Sequence, residues 1–155
     1  MRLLTKISRN FGWGLVWVVA CGCANHKFER HVIFDGPPAT TIERMRQYSL
    51  EQQFDIFRYG NDRVEPPLLD LAKPIAERGK SVIPFLLTKL KEMKSEDIGT
   101  RDVVSIFEEM AFSGSYDVKA DAALMQTLSL KVSNMKNRGW QDSCRQMLDR
   151  IAHPH

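Results

Sequence analysis

The sequence predicts an all-α protein whose folded part is a small multi-helix domain over about residues 49–155. Two observations carry this. From Ser49 onward apolar residues recur at i, i+3, i+4 and i+7, the period of a helix with one buried face. The stretches between are marked by capping residues, prolines and glycines placed where helices start and stop.

Taken in order, the residues between Gly22 and Tyr48 show no sustained period. They read as a tether followed by a packed entry segment, with one apolar patch at Val32–Phe34 and a Gly-Pro-Pro turn. Thr40 and Glu43 have the spacing of a capping box and predict a short helix over Ile42–Gln47. Ser49 and Gln52 repeat that spacing, and Leu50, Phe54 and Phe57 lie on one face, so a helix over 50–59 is expected to stop at Gly60. In "VEPPLLDLAKPIAERG" the residues Leu68, Leu71, Ala72, Ile75 and Ala76 form the next stripe, which Pro74 should kink and Gly79 should end.

Ser81 is the expected cap of a helix bearing Val82, Phe85, Leu86, Leu90 and Met93, with Pro84 in its first turn. Thr100 is the expected cap of a fourth helix with Val103, Val104, Ile106, Phe107, Met110 and Ala111, ending near Gly114. There Asp102 suits the positive end of the helix dipole. Two further helices follow, about 118–136 with Met125, Leu128, Val132 and Met135, and about 140–151 with Trp140, Cys144, Met147, Leu148 and Ile151.

The start of the chain has a different character. "MRLLTKISRN" carries Arg2, Lys6 and Arg9 and no acid, and leads into the apolar run "FGWGLVWVVA", the layout of a secretory signal. Phe11–Ala24 is fourteen residues, short of the about 20 that a membrane span needs. Val18, Val19 and Ala20 then precede Cys21, an order that resembles the bacterial lipobox. The resemblance covers residues 1–21. It implies that lipid is attached to the Cys21 thiol, that the chain is cut after Ala20, and that Cys21 becomes the new N-terminus. Cys23 lacks an aliphatic residue three positions before it, so Cys21 is the preferred lipid site. In Gram-negative lipoproteins an aspartate after the lipidated cysteine goes with inner-membrane retention. Gly22 stands there, which implies the outer membrane, facing the periplasm. An ordinary signal peptide cut at the same bond, or a retained short anchor, are the alternatives.

Cleavage after Ala20 would change the charge balance. The whole chain has 22 basic and 19 acidic residues, and the three basic residues of positions 1–20 would leave 19 against 19. Such a neutral protein lacks the basic footprint of a nucleic-acid binder. A flexible tether of this length would hold the domain on the order of 30 Å from a bilayer.

In "GKSVIPFLLTKL" the residues Gly79, Ile83, Pro84, Leu86 and Leu90 resemble the turn and second helix of HEAT-like repeats. The resemblance covers about residues 66–93, and the later helices lack its glycine-to-proline signature. It implies a helical hairpin. The alternative is an irregular helical bundle with the same caps, and both are all-α.

Candidate chemistry is sparse. The four histidines, His26, His31, His153 and His155, stand near the ends of the body, and none lies between positions 32 and 152. This excludes Ser-His and Cys-His nucleophile pairs within the body, and a metal site would need the two ends to converge. Adjacent Glu108 and Glu109 point about 100° apart on a helix and are expected to be solvated. Asp117 and Asp121 fit cap and dipole roles. Cys144 lies on an apolar stripe, which predicts core packing, although a bridge to Cys23 would be permitted in an oxidising compartment. Phe54, Phe57, Phe85, Phe107 and Trp140 take core positions. Tyr59 and Tyr116 flank predicted helix ends in polar turns, "RYGND" and "SGSYD", where tyrosines serve either as binding anchors or as covers of a core edge.

These observations point to a membrane-anchored lipoprotein that presents a helical protein-interaction domain on the cell envelope. They name no cofactor, no metal and no catalytic residue; the partners are the membrane, through the lipid, and a protein. The alternatives are an envelope enzyme using carboxylates and a transient envelope inhibitor or stress protein.

Overall fold

In the computed structural model, residues 34, 36–63, 67–93 and 98–154 are described, and every regular element among them is helical. Seven α-helices follow one another: α1 (Pro38–Met45), α2 (Leu50–Arg63), α3 (Lys73–Ala76), α4 (Ile83–Glu92), α5 (Gly99–Ser113), α6 (Ala122–Ser133) and α7 (Arg138–Ala152). Two 3-10 turns, Leu69–Ala72 and Gly79–Val82, lead into α3 and α4. The fold is all-α, as the period of the apolar residues predicts.

The entry segment packs onto the body through α1. Met45 is fully buried, and the buried Gln53 of α2 donates to the carbonyls of Met45 and Tyr48, each at 3.0 Å. Helix α1 begins at Pro38, with Pro37 before it and no side-chain cap, so Thr40 lies inside the helix instead of capping it. The proline's fixed φ and missing N–H suit a first helical position, and that moves the start ahead of the threonines. The Ser49–Gln52 box forms as expected: the Ser49 N–H donates to Gln52 Oε1 (3.0 Å) and the Gln52 N–H to Ser49 Oγ (3.3 Å).

Helix α2 does not stop at Gly60. It runs on to Arg63, and Gly60 is buried where a Cβ would sit 2.8 Å from Leu71 Cδ1 and 3.0 Å from the Phe34 ring. The glycine is there for close packing, and its helical weakness is outweighed by that contact. The next stripe is broken more deeply than a kink. The chain makes the 3-10 turn Leu69–Ala72 and then the single α-turn α3, with Pro74 in its first turn. Without an N–H, Pro74 cannot continue a ladder, so the hydrogen bonding restarts there. The stripe survives, since Leu71, Ala72, Ile75 and Ala76 are all buried.

Gly79 has φ +58°, the left-handed conformation expected of a terminating glycine. It opens the turn Gly79–Val82, and Ser81 Oγ donates backwards to the Arg78 carbonyl (2.8 Å). Ser81 therefore does not cap α4; Val82 takes that place without a side-chain bond, and Pro84 lies in the first turn. Thr100 is likewise not a cap. Helix α5 starts at Gly99, and Thr100 is buried within it with no hydrogen-bond partner for its hydroxyl among the described residues.

The last two helices have side-chain caps. Asp121 accepts from the Leu124 N–H (3.0 Å) and Asn137 from the Trp140 N–H (3.1 Å), which places the helix starts at Ala122 and Arg138. The core runs through all of these elements around α5, eleven of whose fifteen residues are buried.

Gly79 and Gly114 form an internal comparison. Both have positive φ, but a Cβ on Gly79 would lie 2.8 Å from the Ser115 carbonyl oxygen, whereas Gly114 faces open space. Gly114→Ala should therefore cost only the left-handed backbone penalty, about 1–2 kcal/mol. Gly79→Ala should cost that and about 1 kcal/mol or more besides, because a backbone oxygen must shift. Urea titrations of the two variants check this; equal losses would show that the Ser115 contact is not tight.

Candidate functional site

Helix α5 ends at Gly114, whose left-handed φ of +68° turns the chain into the loop 115–121. The Tyr116 N–H reaches back to the Met110 carbonyl (3.4 Å), and Ser115 Oγ donates to the Ala76 carbonyl (2.8 Å). These bonds fix the loop against the corner between α3 and α4. A cleft of about 300 Å³ opens beside it, lined among others by Tyr116, Asp117, Val118, Lys119, Ile151 and Pro154. The floor is apolar, with one acid and one base at the rim.

Tyr116 is the sequence-predicted site residue that lines this cleft. It is half-buried, and its hydroxyl donates to Asp121 Oδ2 (2.8 Å). That bond raises the phenol above its ordinary range, and burial adds to it. Asp121 is held below the usual carboxylate range, first by the Leu124 N–H and then by Tyr116. One aspartate thus caps α6 and fixes the tyrosine. Asp117 accepts from the Ala120 N–H (3.2 Å), in keeping with its expected cap role.

Tyr59 lies elsewhere, inside α2, because that helix continues past Gly60. Its ring is 5.8 Å from that of Phe34, and the Arg63 guanidinium stands 5.4 Å from its centroid. The structure does not bring the two tyrosines into one cleft. Cys21 and Cys23 lie outside the described residues, as do His26, His31 and His155. Cys144 is a fully buried free thiol, pushed up to about 12 by burial, which matches the expectation of core packing.

The expectation that Glu108 is solvated is overturned. Glu108 is buried and accepts from Arg150 Nε (2.5 Å), because α7 packs along that side of α5. Glu109 is half-buried, and burial raises its carboxyl above the ordinary range.

A polar node at the start of α5 has no counterpart in the reading of single motifs. Asp102 and Arg101 are both buried. Asp102 Oδ1 accepts from Arg101 (2.7 Å) and from Asn61 Nδ2 of α2 (3.1 Å), and Arg58 Nε stands 4.0 Å from Oδ2. The Arg101 guanidinium lies 4.6 Å from the Trp140 ring centroid in α7. Burial pushes the Asp102 carboxyl above the ordinary aspartate range, against the opposing pull of Arg101, Asn61 and Arg58. The signal in the sequence was the row Val103, Val104, Ile106 and Phe107, apolar on too many sides for the first turn to lie in water.

A second groove runs between α4 and α6, about 260 Å³, lined by Leu87, Leu90, Lys91, Thr127, Leu130 and Lys131 among others. No described helix is long and apolar enough to cross a membrane, and among the described residues no three His, Cys, Asp or Glu are placed to hold a metal ion. Compared with family models, curated proteins and solved structures, the chain finds no match.

The node predicts a stability pattern. Asp102→Ala leaves the Arg101 charge buried without its carboxylate and should cost about 3–5 kcal/mol. Asp102→Asn, which keeps an acceptor, should cost less. Since the folded value of Asp102 is raised, the folded chain binds its proton more readily than the unfolded chain does. The Asp102 contribution to stability therefore falls as pH rises from the ordinary aspartate value through the raised one. Chemical denaturation across the acid range should show wild type losing stability relative to Asp102→Asn as pH rises through that window. The opposite slope would refute the burial argument.

Proposed function

We propose that the chain is a lipid-anchored protein of the bacterial cell envelope that presents a small helical domain for binding another protein. The observation that carries this reading is "VVAC" at residues 18–21, preceded by a short apolar run and a basic start. The anchor is lipid on Cys21, and the surface is the outer membrane on its periplasmic side. The HEAT-like reading of residues 66–93 belongs to the same proposal. The left-handed Gly79 and the first-turn Pro84 support it, while α3 is a single turn where such a hairpin would have a full first helix.

A binding role for the body is supported by two open, largely apolar clefts among the described residues. An enzyme using carboxylates would place a carboxylate with a raised pKa in a concave site. The two aspartate and glutamate side chains raised by burial, Asp102 and Glu109, line neither cleft.

The test is the mass of the protein extracted from membranes. It should match a chain starting at Cys21 with acyl chains attached, and Cys21→Ser should leave the precursor uncut or release soluble protein. Several acyl chains at about 0.8 kcal/mol per buried methylene hold far more firmly than one. A membrane-bound chain with an unmodified Cys21 terminus would overturn the proposal.

A further inference from the structure

Helix α6 is unusual for a helix with a solvent face. From Ala122 to Leu130 it carries no charged residue, and its exposed positions are Ala122, Ala123, Gln126, Thr127, Ser129, Leu130 and Ser133. Leu130 is 64% exposed, more than any other large apolar side chain among the described residues. An exposed leucine alone needs no explanation, but this one borders a groove. Leu90 forms the buried floor, Leu87 of α4 and Leu130 of α6 the walls, and the charged residues that line it are Lys91 and Lys131, with no acid.

We propose that this groove receives an amphipathic helix of a partner protein, with leucine-like side chains on one face and acidic residues beside them. The proposal deepens the reading of the body as a binding module and rests on that reading, though not on the lipid anchor. Helix-in-groove recognition needs apolar anchors about one turn apart and flanks of fitting charge. The lining runs from Leu87 to Lys91 on α4 and from Thr127 to Asn134 along α6 and its C-cap, about 6–10 Å of groove at the helical rise, room for about one to two turns in contact.

The lysines decide the sign of the flanks and also argue for a helix over a lipid surface. Lys131 Nζ donates to the Met93 carbonyl (2.5 Å), so its ammonium is held at the groove wall and does not reach outward to headgroups. Two of its three N–H donors remain for a carboxylate. Lys91 is exposed. The lining hydroxyl of Thr127 donates to the Ala123 carbonyl (2.8 Å) and the Asn134 amide to the Leu130 carbonyl (2.9 Å). The Thr127 hydroxyl proton and one Asn134 N–H are thus spent on their own helix, and Leu87, Leu90 and Leu130 form the apolar part of the slot between the lysines.

The test uses the full chain in neutral detergent micelles, with the methyl signals of Leu87 and Leu130 as readout and empty micelles as the baseline. The probes are two stapled helical peptides of about three turns, identical in their leucine face, one flanked by glutamates and one by lysines. The glutamate peptide should shift both methyls saturably and bind at least about tenfold tighter than the lysine peptide. Lys91→Glu, an exposed change that the fold tolerates, should shrink that preference, and Leu130→Ser should weaken the glutamate peptide. Equal affinities, no saturable shift with either peptide, or the same methyl shifts on adding phosphatidylglycerol or on changing protein concentration would overturn the proposal. The last two would assign the groove to lipid or to a second copy. Shifts confined to the Tyr116 cleft would keep the binding-module reading and remove the groove from it, while an unlipidated mass would remove the anchor and leave the peptide result standing.

Discussion

A helix surrounded by its neighbours has little solvent face on which to discharge its polar residues, and α5, with eleven of its fifteen residues buried, is in that position. It packs against α2, α3, α4, α6 and α7, so the charged side chains it buries need partners close at hand. Asp102 finds Asn61 on α2, Arg101 lies over Trp140 on α7, and Glu108 meets Arg150 on α7. Each of these pairs is worth little as a net attraction, because desolvation offsets much of it. Their effect is selective: an α7 shifted by a turn would leave the buried Glu108 charge alone, which is far more costly than a lost apolar contact, and a shifted α2 would take the Asn61 amide from Asp102. The apolar stripes bring the helices together, and the polar pairs on α5 fix their registers.

The same constraint reaches the loop after α5. With Gly114 turning the chain, Ser115 Oγ bonds the Ala76 carbonyl, and the Ser115 carbonyl fills the space beside Gly79. The corner between α3 and α4 is thus shaped partly by a loop more than thirty residues later in the chain. Tyr116 is held next to it by Asp121, the residue that caps α6. The Tyr116 cleft is therefore built on short, mutually bonded segments, which fixes its wall without any element of its own.

What was legible in the sequence follows from the range of the forces involved. Apolar period depends on side chains that are neighbours along one helix, and it correctly assigned the core faces around Phe54, Ile75, Leu86, Phe107, Leu128 and Ile151. Helix ends depend on single backbone groups, and there Thr40, Gly60, Ser81 and Thr100 misled. Gly60 is the instructive case: glycine signals a stop when nothing is near, but here Leu71 and Phe34 need the room of its missing Cβ. No local rule contains that contact. The burial of Glu108 was illegible for the same reason, since its partner Arg150 is remote in sequence. In the candidate site, Tyr116 was legible from its position in a polar turn, whereas its bond to Asp121 depends on the geometry of the loop and the groove that Leu130 shares with Leu87 on tertiary packing.

Charge distribution links the two ends of this picture. If the chain is cut after Ala20, its basic and acidic residues balance, 19 against 19, and the protein as a whole projects no strong field of either sign. A neutral molecule cannot steer a charged partner from a distance, so discrimination has to come from the local field at the site of contact. Elsewhere on the surface several opposite charges are matched: Arg46 with Glu43 and Glu77, Lys73 with Asp70, Lys89 with Glu51, Arg145 with Asp142. Such exposed pairs add little stability, but they cancel one another's fields within a Debye length of about 8–10 Å. The groove between α4 and α6 is where the lining carries lysines without an acid. Two ammonium groups beside an apolar slot, with no acid in the lining, give that groove a positive local field.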